Sequence, residues 1–199
     1  MPPKAETKTK GKLFDAAKGL MLSKGYPATT VDEICEAAGV TKGSFFHYFD
    51  SKEDLGKELL DCCGGTMEAG FKNAAFHQEK DPLKRIHLYL DSVIQCSRDR
   101  NNPKGCLIGT LAQELSDVYP DIRSSCAKYF SKWADCLTAD LNAAKGKHLR
   151  HLTFDSRSLA DHLISILEGS FILAKTYQDS RIVEENLKHF RRYLDSLFK

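Results

Sequence analysis

The run Thr41-Lys42-Gly43-Ser44 places two hydroxyls, an ammonium and a bare stretch of backbone in four consecutive positions. Hydroxyl, ammonium and close-approaching main chain are the groups that bind phosphate oxygens and read base edges. His47, Tyr48 and Lys52 extend the same polar rim. A second chemistry-bearing residue is Cys106, which follows Asn102-Pro103-Lys104-Gly105 at the start of an expected helix. Unpaired helix N–H groups and the Lys104 charge would favour a thiolate there, so oxidants or electrophiles could act on it. The competing reading packs Cys106 as a small hydrophobe beside Leu107 and Leu111. With no paired framework among the seven cysteines, reduced thiols are expected. There is no Cys-x-x-Cys pair, and His148 and His151 have no Cys or acid beside them, so neither a metal site nor a cofactor is expected.

Chemistry at residues 41–44 requires a rigid support. Leu13, Ala16, Ala17, Leu20 and Met21 recur at helical spacing, which predicts a first helix over residues 11–24 ended by Gly25. Thr30-Val31-Asp32-Glu33 has the form of a capping box and opens a second helix to Ala38. Gly39 permits a tight turn, Val40 anchors it, and Thr41 caps a third helix over residues 42–49 with Phe45 and Phe49 on its inner face. Ile34, Ala37 and Ala38 supply the facing apolar surface. Two short helices joined by about three residues form a helix-turn-helix, whose second helix enters the major groove. Lys4, Lys8, Lys10 and Lys12 read as a mobile basic arm along a phosphate backbone.

Further helices are expected from Ser51 to about Phe76, over 82–98, 106–115, 120–144, 156–178 and 181–198, with a basic loop over 146–153. The fold class is all-α, about nine helices, with residues 1–50 as the helix-turn-helix domain and 51–199 as a larger helical domain. Six prolines and 13 glycines in 199 residues suit such a chain, and 42% hydrophobic residues suffice for a core. The net charge of +2 says little about partners. Without an apolar segment long enough to span a bilayer or an export signal, a cytoplasmic protein with no membrane partner is expected. Walker, Gly-x-Ser-x-Gly and His-Glu-x-x-His patterns are missing, which speaks against an enzyme.

The segment from Thr29 to Leu55, TTVDEICEAAGVTKGSFFHYFDSKEDL, resembles the TetR family of bacterial transcriptional regulators. Turn, tip, aromatic cluster and Ser-Lys-Glu cap occur together in register, and the close match covers about residues 10–57. The resemblance implies a three-helix DNA-binding domain, a helical ligand and dimerisation domain, and repression relieved by a small molecule. It implies phosphate contacts for Thr30 and Lys52, groove contacts for Lys42, Gly43, Ser44 and His47, and a backbone contact for Tyr48. Phe46 departs from the family's usual tyrosine, so any contact through that hydroxyl is lost.

Double-stranded DNA with a palindromic operator, a second copy of the chain, and a small-molecule or electrophile effector are the expected partners. Val183, Leu187, Phe190, Leu194 and Leu197 form an apolar seam on the last helix, and Leu159, Leu163, Ile166, Leu167, Ser170 and Ala174 form one on the preceding helix. Within these seams, Leu163, Leu167, Phe190 and Leu194 are the expected dimer contacts. Tyr89, Leu111, Tyr129, Trp133 and Phe171, with Phe130, are the candidate walls of an effector pocket. A different class remains open: a helical adaptor that binds only protein, distinguished by its lack of salt-dependent DNA binding. Activation in place of repression stays open as well.

Overall fold

The structure, a computed structural model, describes residues 4–98, 105–148 and 154–199. These residues form nine α-helices and one 3-10 turn, with no strand among them. The expected loop residues 149–153 and 101–104, including Lys104 and His151, lie outside the described residues.

Helix α1 (Lys4–Lys24) begins seven residues before the expected start, so the basic run opens a helix. Lys, Glu and Thr at its start carry no apolar signal, yet Lys and Glu are good helix formers. Lys10 is turned onto its own chain, 5.2 Å above the Phe49 ring and paired with Glu58. Leu13, Ala17 and Met21, four residues apart, are buried. Helix α2 (Val31–Ala38) starts on the Thr30 capping box and ends at Gly39, whose left-handed φ of 63° lets its N–H return to Cys35 and Glu36. Helix α3 (Lys42–Tyr48) starts on the Thr41 cap. Phe45 and Phe49 are buried, with ring centroids 5.5 Å apart, and Phe14 reaches Phe49 at 5.6 Å. Ala37, counted on the inner face, is exposed.

Helix α4 (Lys52–Asn73) runs unbroken through Gly64 and Gly65 and stops short of the 3-10 turn at Ala75–Gln78. Its start is capped twice: Ser51 Oγ accepts the Asp54 N–H at 3.1 Å, and the Asp54 carboxylate accepts the Asp50 N–H at 3.1 Å. Helices α5 (Pro82–Arg98), α6 (Leu107–Leu115), α7 (Pro120–His148), α8 (Ser156–Tyr177) and α9 (Arg181–Leu197) follow. Helix α7 continues through Gly146, where a loop was expected.

Contacts group the chain into two compact units, drawn differently from a division at residue 50. The first comprises Met1–Thr66 and Cys106–Ala127, so α6 packs with the N-terminal helices. The second comprises Met67–Gly105 and Lys128–Lys199. Its core joins Ile86 and Leu90 of α5 to Leu163 and Leu167 of α8 and Leu187, Phe190 and Leu194 of α9. Those last residues include all four expected dimer contacts, each at most 2% exposed within the single chain. Apolar periodicity marks a buried stripe without saying which partner buries it, and here α8 and α9 bury one another. No helix of the described residues is long and apolar enough to cross a membrane.

Candidate functional site

In the first unit, the turn between α2 and α3 leaves Thr41, Lys42, Gly43 and His47 exposed and Ser44 and Tyr48 half-buried. Thr41 Oγ1 accepts the Ser44 N–H at 3.1 Å and lies 3.0 Å from Ser44 Oγ, which fixes both hydroxyls at the start of α3. The Lys42 ammonium sits 2.7 Å from Asp32, with both side chains more than half exposed. Such an open pair contributes little to stability and leaves the lysine available. A Cβ on Gly43 would meet only Thr41 Oγ1, at 3.8 Å. The fold therefore has room for a side chain there, and the bare backbone serves close approach from outside. Thr30 is exposed, but its hydroxyl donates to Glu33 at 2.8 Å while capping α2. The Lys24 ammonium and the Thr30 donors hold the Glu33 carboxyl down at about 2. Phe46 is 51% exposed, a ring where the family pattern has a phenol.

Lys52 corrects its expected place on the rim. Its ammonium donates to the carbonyls of Tyr26 at 2.9 Å and Thr29 at 2.8 Å and lies 4.2 Å above the Tyr26 ring. Burial pushes its pKa down. Lys52 is thus a brace between α4 and the connection leading into α2. Sequence reasoning also missed Glu114 of α6, whose carboxylate accepts the Tyr26 N–H at 2.6 Å across 88 positions of chain. Gly25 makes that contact possible. Its φ is +88°, and a Cβ would stand 2.5 Å from Glu114 Oε1. Buried Thr29 completes the brace by donating to the Gly25 carbonyl at 2.7 Å. No local pattern announces these long-range partners, although Gly25 itself was legible as a helix stop.

Cys106, half-buried, is the N-cap of α6, and its Sγ accepts the Gly109 N–H at 3.4 Å. Cys35 and Cys126 are buried, and burial pushes both thiols up, Cys126 to about 11.

The second unit contains a cavity of about 600 Å³ between the end of α4, the 3-10 turn, α5 and α7. Tyr89 and Trp133 line it, and Trp133 Nε1 donates to the Tyr89 hydroxyl at 2.9 Å. Met67, Phe71, Phe76, Leu88, Ser92 and Val93 complete most of the wall, and Gly70, Ala74 and Ala75 supply the small residues that leave the space. Leu111 is fully buried in the first unit, Phe171 packs against the core of the second and Tyr129 is buried away from the cavity, so these three expected wall residues do not line it. Among the described residues no cluster of His, Cys, Asp and Glu is placed to hold a metal.

A capped helix, a glycine turn and a second helix presenting hydroxyls, lysine and bare backbone define a helix-turn-helix DNA-binding regulator. Residues 13–59 match the bacterial regulatory proteins of the tetR family, and residues 82–190 match the tetracyclin repressor-like C-terminal domain. The chain is 32% identical to the transcriptional regulator AcuR of Cereibacter sphaeroides over 155 residues, 78% of this chain and 71% of AcuR. It is 27% identical to the HTH-type transcriptional repressor NemR of Escherichia coli K12 over 191 residues, 95% of each. The crystal structure of E. coli NemR in its reduced form superposes with a TM-score of 0.79 at 25% identity, covering 92% of this chain and 95% of that one. The chain belongs to the TetR family of transcriptional regulators.

Proposed function

We propose that this regulator is a dimeric repressor which reads a palindromic operator through the tip of α3 and leaves it when a small molecule fills the cavity of the second unit. The exposed, fixed tip is the observation that carries the DNA half of this reading. Lys42, Gly43, Ser44 and His47 meet the groove, Thr30, Thr41 and Tyr48 meet phosphates, and Lys52 braces them from behind. Relatives named as repressors support repression. Residues 1–50 carry the DNA contacts, and residues beyond them carry the effector and the second copy. Because Leu163, Leu167, Phe190 and Leu194 are spent in the core, the dimer face is the apolar surface still open on the same helices. Ile172, Leu173 and Tyr177 of α8 and Tyr193 of α9 are each at least 40% exposed.

A second reading of the release step rests on the Gly109 N–H aimed at the Cys106 sulfur. An N–H donor at a helix start favours negative charge on the thiol, so an electrophile attacking there would disturb α6. Cys106 does not line the cavity, so the two release routes are separate.

Fluorescence anisotropy of the reduced protein on duplex DNA from upstream of its own gene tests the reading. Tight binding that weakens steeply with salt is expected. Loss of binding after electrophile treatment in wild type but not in Cys106→Ser would establish the thiol route. Binding indifferent to salt and to sequence would overturn the operator reading and leave a protein-binding adaptor.

A further inference from the structure

The composition of the cavity wall selects its occupant. Four aromatic rings surround it: Phe71 lies 5.4 Å from Phe76 and 5.3 Å from Tyr89 between centroids, and Trp133 is joined to Tyr89 by its indole N–H. Among the described residues the wall carries no charged side chain and no cysteine. A carboxylate or ammonium entering it would give up water without gaining a counter-charge. Among the described residues the wall also offers no thiol or amine for a covalent bond.

Its polar capacity is narrow, two hydroxyls and one indole N–H. The Trp133 N–H is already given to the Tyr89 oxygen, and the Ser92 hydroxyl gives its hydrogen to the Tyr89 carbonyl at 2.7 Å. What Ser92 has left is an oxygen lone pair, an acceptor. A volume of about 600 Å³ falls in the range of sites for small organic molecules.

From this wall we infer that the cavity reversibly binds a neutral aromatic molecule with a single hydroxyl, such as an aryl alcohol, with its rings against Phe71, Phe76 and Trp133 and its hydroxyl donating to Ser92. This deepens the effector reading given above and rests on it for its regulatory meaning only. Binding itself does not depend on DNA.

The molecule carries its own reporter, since Trp133 is the single tryptophan of the chain. It also carries a natural blocking position. Gly70 lines the cavity from α4, and a Cβ there meets nothing within 4 Å, so Gly70→Leu adds bulk to the cavity without a backbone clash. It replaces a helical glycine by a better helix former and should keep the fold.

The experiment titrates full-length protein with biphenyl-4-methanol, following Trp133 emission under excitation beyond the ligand's absorbance. Biphenyl-4-carboxylate serves as the charged match and decan-1-ol as the non-aromatic one. A saturable change with the alcohol that reverses on dilution is expected. About tenfold weaker binding is expected for the carboxylate and for decanol, and for the alcohol in Gly70→Leu. Ser92→Ala should weaken the alcohol by a smaller factor. Three results each overturn the inference: no saturable response to the alcohol, equal or tighter binding of the carboxylate, or alcohol binding untouched in a folded Gly70→Leu. Operator release by the bound alcohol is measured separately. Binding without release would remove the effector reading and leave the ligand class standing.

Discussion

Around Tyr26 the chain is tied by charged and polar groups, whereas around Tyr89 it is ringed by carbon. Tyr26 gives its N–H to Glu114, receives Lys52 on its carbonyl and lies under that ammonium. Burial pushes its phenol up to about 12. The Tyr89 ring packs against Phe71 and Phe76, and its hydroxyl receives the Trp133 indole N–H. The first arrangement is directional and fixes the backbone that enters α2, so losing one partner leaves another group unsatisfied. The second is nearly non-directional and fixes the shape of a hole, which tolerates substitutions that conserve volume. A reading head needs its side chains held at set angles to a rigid duplex. A small-molecule pocket needs mainly complementary surface.

Gly25→Ala should break this contrast most sharply. The alanine must adopt a φ near +88°, and its Cβ would push Glu114 away from a contact it can leave only by releasing the Tyr26 N–H. Backbone strain and the lost charge-assisted bond together should cost about 3 kcal/mol, read as a lower urea midpoint. Gly39→Ala is the control. Its φ of +63° is also left-handed, but no atom lies within 4 Å of the new Cβ, so strain alone should cost about 1 kcal/mol. Equal losses would mean that the Glu114 contact contributes nothing.

Lys52→Met comes next, with an expected loss of about 1–3 kcal/mol as two carbonyls lose their donor. The salt dependence of operator binding should keep its slope, because a brace neutralises no phosphate. A slope shallower by about 0.9 would instead make Lys52 a phosphate ligand. Lys42→Ala should reverse both signs. Stability should stay within about 0.5 kcal/mol, since its pair with Asp32 is exposed. Operator affinity should fall by about 1 kcal/mol, with either a shallower salt slope or altered base preference showing which group it meets.

These pairs also show how far the sequence could be read. Thr30, Gly39 and Thr41 are local signals, each acting within four residues, and they place α2 exactly and α3 to within one residue. Gly25 and Pro82 act in the same local way at the end of α1 and the start of α5. Long-range partners leave no such trace. Lys52 carries the same charge as Lys42, and only the carbonyls of Tyr26 and Thr29 distinguish a brace from a contact. Likewise Leu163 and Phe190 announce burial correctly, yet their periodicity is the same whether a second copy or a neighbouring helix covers them. The cavity was legible as aromatic content but not as a wall, because Leu111 and Trp133 are equally apolar in sequence and pack in different units.

The smallest expected effect is a difference in response to acid. In the first unit Glu33 titrates near 2 in the folded chain against 4.5 ordinarily, so its contribution is complete above pH 4.5 and disappears only as pH falls towards 2. In the second unit burial pushes His87 below its usual 6.5. Asp195, whose carboxylate lies 3.1 Å from Nε2, and Asp91 oppose the shift, while Arg191 adds to it. Among the described residues the buried Nδ1 has no hydrogen-bond partner. The unfolded chain therefore takes up a proton at a higher pH than the folded one, and stability declines as pH falls through about 6.5. Between pH 7.5 and 5.8, urea unfolding followed by Trp133 emission should move to lower midpoint. His87→Asn should flatten that dependence, and Glu33→Gln should leave it unchanged in this window. If His87→Asn kept the full slope, the mild-acid sensitivity of the second unit would have to arise elsewhere than at the α5–α9 contact.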